Sequence, residues 1–212
     1  MISKPELLEM LGLFDERIGR KKSELNYKNP YTFAVAVLLS AQATDKSVNI
    51  ATRELFEIAD NPQAMLKLGE KKIRQYIRTI GLFNSKARHI IEMSEMLVSK
   101  FAGVLPKTRE ELMQLSGIGR KSANVILNEL YGMPTIGVDT HVLRLVGRLG
   151  LVNGKKFFTP EQVEAELERI IPFEYKPFIS NYLVLFGRYV CKAKNPDCQN
   201  CFLKKFCKVK KF

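Results

Sequence analysis

The sequence predicts an all-α protein on three observations. Apolar residues recur at helical spacing almost throughout the 212 residues, and period-two alternation bounded by hairpin turns is missing. Proline or a capping residue stands at the head of most periodic stretches. A hydrophobic content of 46% is enough for one sizeable core or for two small lobes sharing a cleft, and no internal repeat or low-complexity tract interrupts it.

Taken in order, Glu6 to Ile18 reads as an amphipathic helix with Leu7, Leu8, Leu11 and Phe14 on one face. A charged linker, Arg20-Lys21-Lys22, follows. Pro30 suits the first turn of a helix, and Phe33 to Leu39 is apolar all round, as a fully buried helix should be. That helix ends at Ser40-Ala41-Gln42-Ala43-Thr44-Asp45. Thr44 or Asp45 can cap the next helix, to about Ile58, and capping also accounts for Ser40. Gln42 has no such local explanation. Asn61-Pro62 starts a short helix, Glu70 to Ile77 makes another, and Gly81 to Lys86 forms a turn with Leu82 exposed. A long helix to Phe101 follows, carrying Ala87, Ile90, Ile91, Met93, Leu97 and Phe101 mostly inward. Arg109 to Leu115 is a short helix. Helices opened by Asp139, by Pro160 and near Tyr175 complete the chain before a cysteine loop.

Charge narrows the partners. Lys plus Arg number 34 against 22 Asp plus Glu, a net +12, which favours a polyanion and nucleic acid above others. From Arg188 to Phe212 there are eight basic residues and one acidic, so +7 of that excess sits in the tail. The opening residues lack the pattern of a secretory signal or a transit peptide, and the longest pure apolar run, Phe33 to Leu39, is far too short to span a bilayer. A cytoplasmic protein is expected, with no membrane partner.

The stretch Leu115-Ser116-Gly117-Ile118-Gly119-Arg120-Lys121-Ser122-Ala123-Asn124 organises the rest. An apolar turn with two glycines opens into a helix, leaving backbone N–H groups facing outward where no side chain blocks a phosphate. With the helix from Arg109, this makes a helix-hairpin-helix unit over about 109–131. Arg120 and Lys121 put positive charge at the helix end whose dipole disfavours it, a broken local rule of the kind that marks function. Lys121 reads as an amine kept neutral for nucleophilic attack or, with Arg120, as a phosphate contact.

Four cysteines stand as Cys191-x6-Cys198-x2-Cys201-x5-Cys207, a donor set for a metal in a reducing compartment. Thiolates of this number suit tetrahedral zinc or a [4Fe-4S] cluster, and spacing alone does not decide, although the uneven outer intervals lean away from a zinc ribbon. Either site has all four positions filled and is structural. Lys192 and Lys194, with Lys204, Lys205, Lys208, Lys210 and Lys211, give the loop a basic face for phosphate contact or for offsetting the thiolates. Asp139 precedes a periodic helix, where its default role is an N-cap. An amine attacking a sugar carbon also needs a nearby carboxylate to take up protons, and Asp139 is the candidate. His89 and His141 receive no catalytic role, and no Gly-x-Ser-x-Gly motif supports acyl transfer.

Three matches coincide: Leu-Ser-Gly-Ile-Gly-Arg-Lys-Ser-Ala-Asn at 115–124, Val-Asp-Thr-His-Val at 138–142, and the 6-2-5 cysteine tail. Together they resemble the endonuclease III family of helix-hairpin-helix DNA glycosylases. The likeness runs on through Leu38 to Asp45 and Thr79 to Lys86, so it covers nearly the whole chain. It implies two helical lobes flanking a cleft: a six-helix lobe over 22–132, and a second lobe from 1–21 plus 133–212 with an iron-sulfur cluster loop at 191–207. It implies Lys121 as the nucleophile forming a Schiff base at the deoxyribose C1′, with Asp139 as the activating carboxylate. Gln42 is implied to fill the gap left by a flipped base and Leu82 to wedge into the opposite strand, with Gly117, Gly119, Arg120, Lys192 and Lys194 on the DNA. The cysteines are implied to hold a [4Fe-4S] cluster. One departure is Ser116, where the family commonly has proline, which is expected to loosen the hairpin slightly.

The expected activity is removal of oxidised pyrimidines from duplex DNA in base excision repair, with AP lyase cleavage by β-elimination. The expected partner is double-stranded DNA with damaged bases or abasic sites, bound by a nucleoid-associated monomer. Two other readings stand beside it: a non-enzymatic DNA binder using the same hairpin and tail, and a monofunctional glycosylase that leaves strands intact. Lys121 with Asp139 discriminates, since a pure binder has no use for a lysine opposing a helix dipole.

Overall fold

A computed structural model describes residues 2–20, 23–153 and 159–209; Lys21 and Lys22 of the linker and Lys210 and Lys211 of the basic run lie outside them. Among the described residues there is no strand, and the chain divides into two compact units, Met1–Ser23 with Met133–Phe212, and Glu24–Gly132.

The unit Glu24–Gly132 is built around α2 (Pro30–Leu39), nine of whose residues are buried. Asn29 and Thr32 form a reciprocal cap and Pro30 supplies a preset φ, so a segment with no charged residue starts cleanly and can be surrounded on every side. Thr44 caps α3 (Asp45–Ile58), Asn61 caps α4 (Pro62–Leu68), and α5 (Glu70–Tyr76) follows Gly69. The long helix α6 (Phe83–Phe101) buries Lys86, Ile90, Met93 and Leu97, spaced by helical turns, while Ile91 and Phe101 are half-buried. Ser40 is the C-terminal cap of α2, its hydroxyl donating to the Val37 carbonyl (2.8 Å).

The hairpin itself is shorter on its first side than its periodicity suggests. α7 is a single turn, Arg109–Leu112, after which Gln114 and Leu115 bond three residues back (both 3.1 Å). Buried Leu115 and Ile118 then anchor the turn before α8 (Arg120–Tyr131).

The other unit draws on both ends of the chain. α1 (Lys4–Arg17) starts two residues earlier than predicted, because Ser3 and Glu6 form a capping box. Its inward face is Leu7, Met10, Leu11 and Phe14, whereas Leu8 is exposed: the 7-10-11-14 spacing leaves Leu8 on the flank. Phe14 stacks on Tyr182 (5.3 Å between centroids) and meets Phe186 and Phe202 edge-on (5.7 and 5.9 Å). The remaining helices are α9 (Thr140–Arg148), α10 (Pro160–Ile170) and α11 (Lys176–Tyr189), the last entered through a 3-10 turn at Phe173–Tyr175.

Candidate nucleic-acid interface and cysteine site

In the unit Glu24–Gly132 three of the turns with left-handed backbone bear on the site. Gln42 (φ 56°) and Leu82 (φ 60°) both sit in the left-handed region, which costs a non-glycine residue about 1–2 kcal/mol. Both are exposed, Leu82 to 60%, so nothing in the core repays the strain. The third turn carries Gly117 at φ +79°, where a Cβ would lie 2.8 Å from Leu38 Cδ1 and 3.2 Å from His89 Cβ. Only glycine lets the hairpin seat against the end of α2 and the flank of α6. Gly117→Ala is expected to cost about 1–3 kcal/mol in urea unfolding. Gly119 differs: a Cβ there meets nothing within 4 Å, so its lack of a side chain keeps the start of α8 open rather than relieving a clash.

Lys121 is the second residue of α8, and its side chain is exposed; Gly119, the N-cap, makes no side-chain cap bond. Ser116, expected to loosen the turn, is instead tied down. Its hydroxyl donates to Glu92 Oε2 on α6 (2.5 Å), and Glu92 also faces Arg88 (3.7 Å).

Lys86 is the residue that sequence reasoning missed. It is 4% exposed, and its Nζ donates to the carbonyls of Leu39 (2.9 Å) and Ala41 (2.6 Å) at the C-terminal end of α2. Burial lowers its pKa from the ordinary lysine value. The signal was present as a charge in register with Ile90, Met93 and Leu97 on an apolar face.

In the other unit Asp139 caps α9, accepting from the backbone N–H of His141 (2.8 Å) and Val142 (3.0 Å), as its position predicts. Burial, with Arg144 and Arg188, pushes the His141 pKa down against the pull of Asp139. From the same helix Arg144 Nη2 donates to the Gly187 and Cys191 carbonyls (3.0 and 3.2 Å), and Arg148 Nη1 donates to the Lys192 carbonyl (2.9 Å) and approaches Cys191 Sγ (3.3 Å). Helix α9 thus runs from the Asp139 cap to the cysteine loop. A Cβ on Gly187 would fall 2.9 Å from both Arg144 Nη2 and His141 Nδ1, so that approach depends on a glycine.

Cys191, Cys198, Cys201 and Cys207 all line one cavity. Burial pushes the Cys201 thiol above its ordinary pKa; the Leu203 N–H opposes this, and the charges of the other three cysteines add to it. Mutual repulsion of this kind is what a bound cation relieves, so the donor set fits a soft metal centre. Lys192 and Lys194 are exposed beside it.

A one-turn helix, a glycine hairpin and a twelve-residue second helix within an all-helical body define the helix-hairpin-helix class of proteins. The model of the HhH-GPD superfamily of base excision DNA repair proteins matches residues 35–173, and the chain belongs to that family. It is 49% identical to endonuclease III of Rickettsia conorii over 94% of this chain and 93% of that protein. Against endonuclease III of Escherichia coli it is 44% identical over 99% of this chain and 98% of the relative. A solved structure of a trapped endonuclease III–DNA covalent intermediate, an estranged-adenine complex, superposes with a TM-score of 0.91 at 38% identity, covering 98% of this chain and 97% of that one. A thermostable thymine-DNA glycosylase, 19% identical with a TM-score of 0.85, covering 97% of this chain and 95% of that one, shares the fold.

Proposed function

We propose that this chain is a bifunctional base-excision-repair enzyme, a DNA glycosylase that removes oxidised pyrimidines from duplex DNA and an AP lyase that then cuts the strand by β-elimination. The observation that carries the reading is Lys121: exposed, second in a helix entered through a glycine hairpin, in a chain 44% identical to endonuclease III over nearly its whole length. An endonuclease III has been trapped covalently on DNA, which is the state an amine nucleophile produces.

In this reading the Lys121 amine attacks C1′ of the damaged nucleotide. The glycosidic bond breaks and the base leaves with the electron pair, picking up a proton. The sugar ring opens to an iminium joining Nζ to C1′; loss of a C2′ proton then expels the 3′ phosphate, and water releases the lysine. Asp139 takes up the lysine proton and stabilises the cationic sugar. Gln42 occupies the space left by the extruded base, and Leu82 enters the opposite strand; their strained, exposed backbones support these roles. Gly117, Gly119 and Arg120 receive a phosphate at the start of α8, and Lys192 and Lys194 add phosphate contacts from the cysteine loop.

The four cysteines hold a [4Fe-4S] cluster in this reading, rather than zinc. The four thiols line one cavity, and the uneven outer intervals of the cysteine spacing lean away from a zinc ribbon. The bound cluster supplies a structural crosslink. The reading carries with it a monomer working on nucleoid DNA in the cytoplasm. Among the described residues no helix is long and apolar enough to cross a membrane.

The test is to incubate the protein with a duplex holding one thymine glycol and add borohydride. A covalent protein–DNA adduct is expected. Base release with no adduct and no strand cut selects the monofunctional glycosylase; binding with no base release selects the simple binder. Asp139→Asn separates the two duties of that residue. Asparagine still caps, so stability should move by less than about 1 kcal/mol in thermal unfolding. Single-turnover base excision should nevertheless fall by about 10²–10⁴-fold.

A further inference from the structure

The ammonium of Lys86 lies between the two strained turns. From the first turns of α6 it reaches the Leu39 and Ala41 carbonyls (2.9 and 2.6 Å), the second of which belongs to the residue immediately before Gln42. At its own end, the Lys86 N–H bonds the Leu82 carbonyl (3.0 Å). Leu82 and Gln42 are therefore joined through one residue, by its backbone on one side and its side chain on the other.

The chemistry favours a rigid link. α2 ends with a negative dipole end and carbonyls that no helix continues to satisfy. The Ser40 carbonyl is taken by the Ala43 N–H (3.1 Å), and Lys86 takes those on either side. A nearly fully buried lysine head is costly to desolvate, and here its cost is met at the point where the chain must turn into the left-handed Gln42. A neutral residue would fill the space, but would leave the Gln42 turn free to move against the Leu82 turn.

We propose that Lys86 is a positioning residue that locks the Gln42 turn to the Leu82 turn, so that the filler and the wedge enter the duplex as a single body. The proposal rests on the roles given to Gln42 and Leu82 above. A lesion stacked in a matched duplex must be extruded against its neighbours, whereas an abasic site has no base to unstack. Loss of the lock therefore falls on excision more heavily than on abasic-site cleavage.

The test compares wild type, Lys86→Met, the pair Gln42→Ala/Leu82→Ala, and all three substitutions together. Each is assayed in single turnover on a thymine glycol duplex with a neighbouring 2-aminopurine and on a preformed abasic site. Lys86→Met should lower the ratio of excision rate to abasic-site cleavage rate by about tenfold or more, and suppress the 2-aminopurine rise that reports extrusion. Added to the Gln42→Ala/Leu82→Ala pair, it should cost no more than about twofold further, because it acts through those residues. An unchanged ratio, or a full tenfold loss on top of the pair, overturns the proposal alone. A Gln42→Ala/Leu82→Ala enzyme that excises at the wild-type rate overturns the roles of those two residues and the proposal with them. If circular dichroism shows Lys86→Met to be unfolded, Lys86→Leu, which likewise has no side-chain N–H donor, carries the same comparison.

Discussion

Lys121→Gln should lower strand cleavage at a thymine glycol by about 10⁴-fold or more and abolish the borohydride adduct, because an amide cannot form the C1′ iminium. The substitution leaves the architecture alone. Lys121 is exposed near the start of α8, its loss opens no cavity, and glutamine is a good helix former. Duplex affinity should stay within about an order of magnitude, the share of one phosphate contact among several. The informative quantity is the gap between those two effects. An equal loss of binding and cleavage would make Lys121 a phosphate ligand, and a Gln variant that still cuts would remove the amine mechanism.

Cys201→Ala should be the most damaging change away from the hairpin. The segment between Cys201 and Cys207 is more than a metal loop, since Leu203 and Phe206 within it are buried in the same core as Phe14 and Tyr182. Phe202 packs edge-on against Phe186 (5.1 Å between centroids) as well as Phe14. On the proposed [4Fe-4S] reading, a donor lost at Cys201 would release the cluster at the point where that apolar segment begins. The expected result is absence of bound iron, with a loss of about 3 kcal/mol or more, or roughly 10 °C in thermal midpoint for a chain of this size. Iron and sulfide analysis beside a thermal melt reads both. An iron-free variant that melts like the wild type would mean that apolar contacts alone hold the loop.

How much of this was legible in the sequence depended on whether local chemistry or tertiary packing decided each residue. α2 was legible because an uncharged run behind Asn29-Pro30 has one stable fate, and Thr44 and Asn61 were legible because capping is local. Asp139 was read as a cap from its position alone, and it is one. Leu8 was misplaced because a helix face is settled by neighbours brought in from the far end of the chain, and those chose Met10. The extent of α7 was overread, since Met113 and Leu115 continue a helical spacing that the tightened turn does not follow. Lys86 was passed over because a lysine in an Asn-Ser-Lys turn looks solvated. Its partners are backbone carbonyls more than forty residues away, which no composition or period can show. The strain at Gln42 and Leu82 is likewise a property of φ, although an unexplained glutamine and an exposed leucine had already drawn attention to both positions.

The division of the chain into units also sets an order of events during synthesis. Helix α1 is made before the residues its apolar face is buried against, which lie in the stretch from Ile136 to Phe206. All of Glu24–Gly132 is translated in between, a delay on the order of 10 s at bacterial-type elongation rates. Leu7, Met10, Leu11 and Phe14 therefore wait uncovered while the middle of the chain is assembled. A nascent chain halted before residue 133 should bind a hydrophobic-segment chaperone through α1, and release it only once the stretch from Ile136 to Phe206 has emerged.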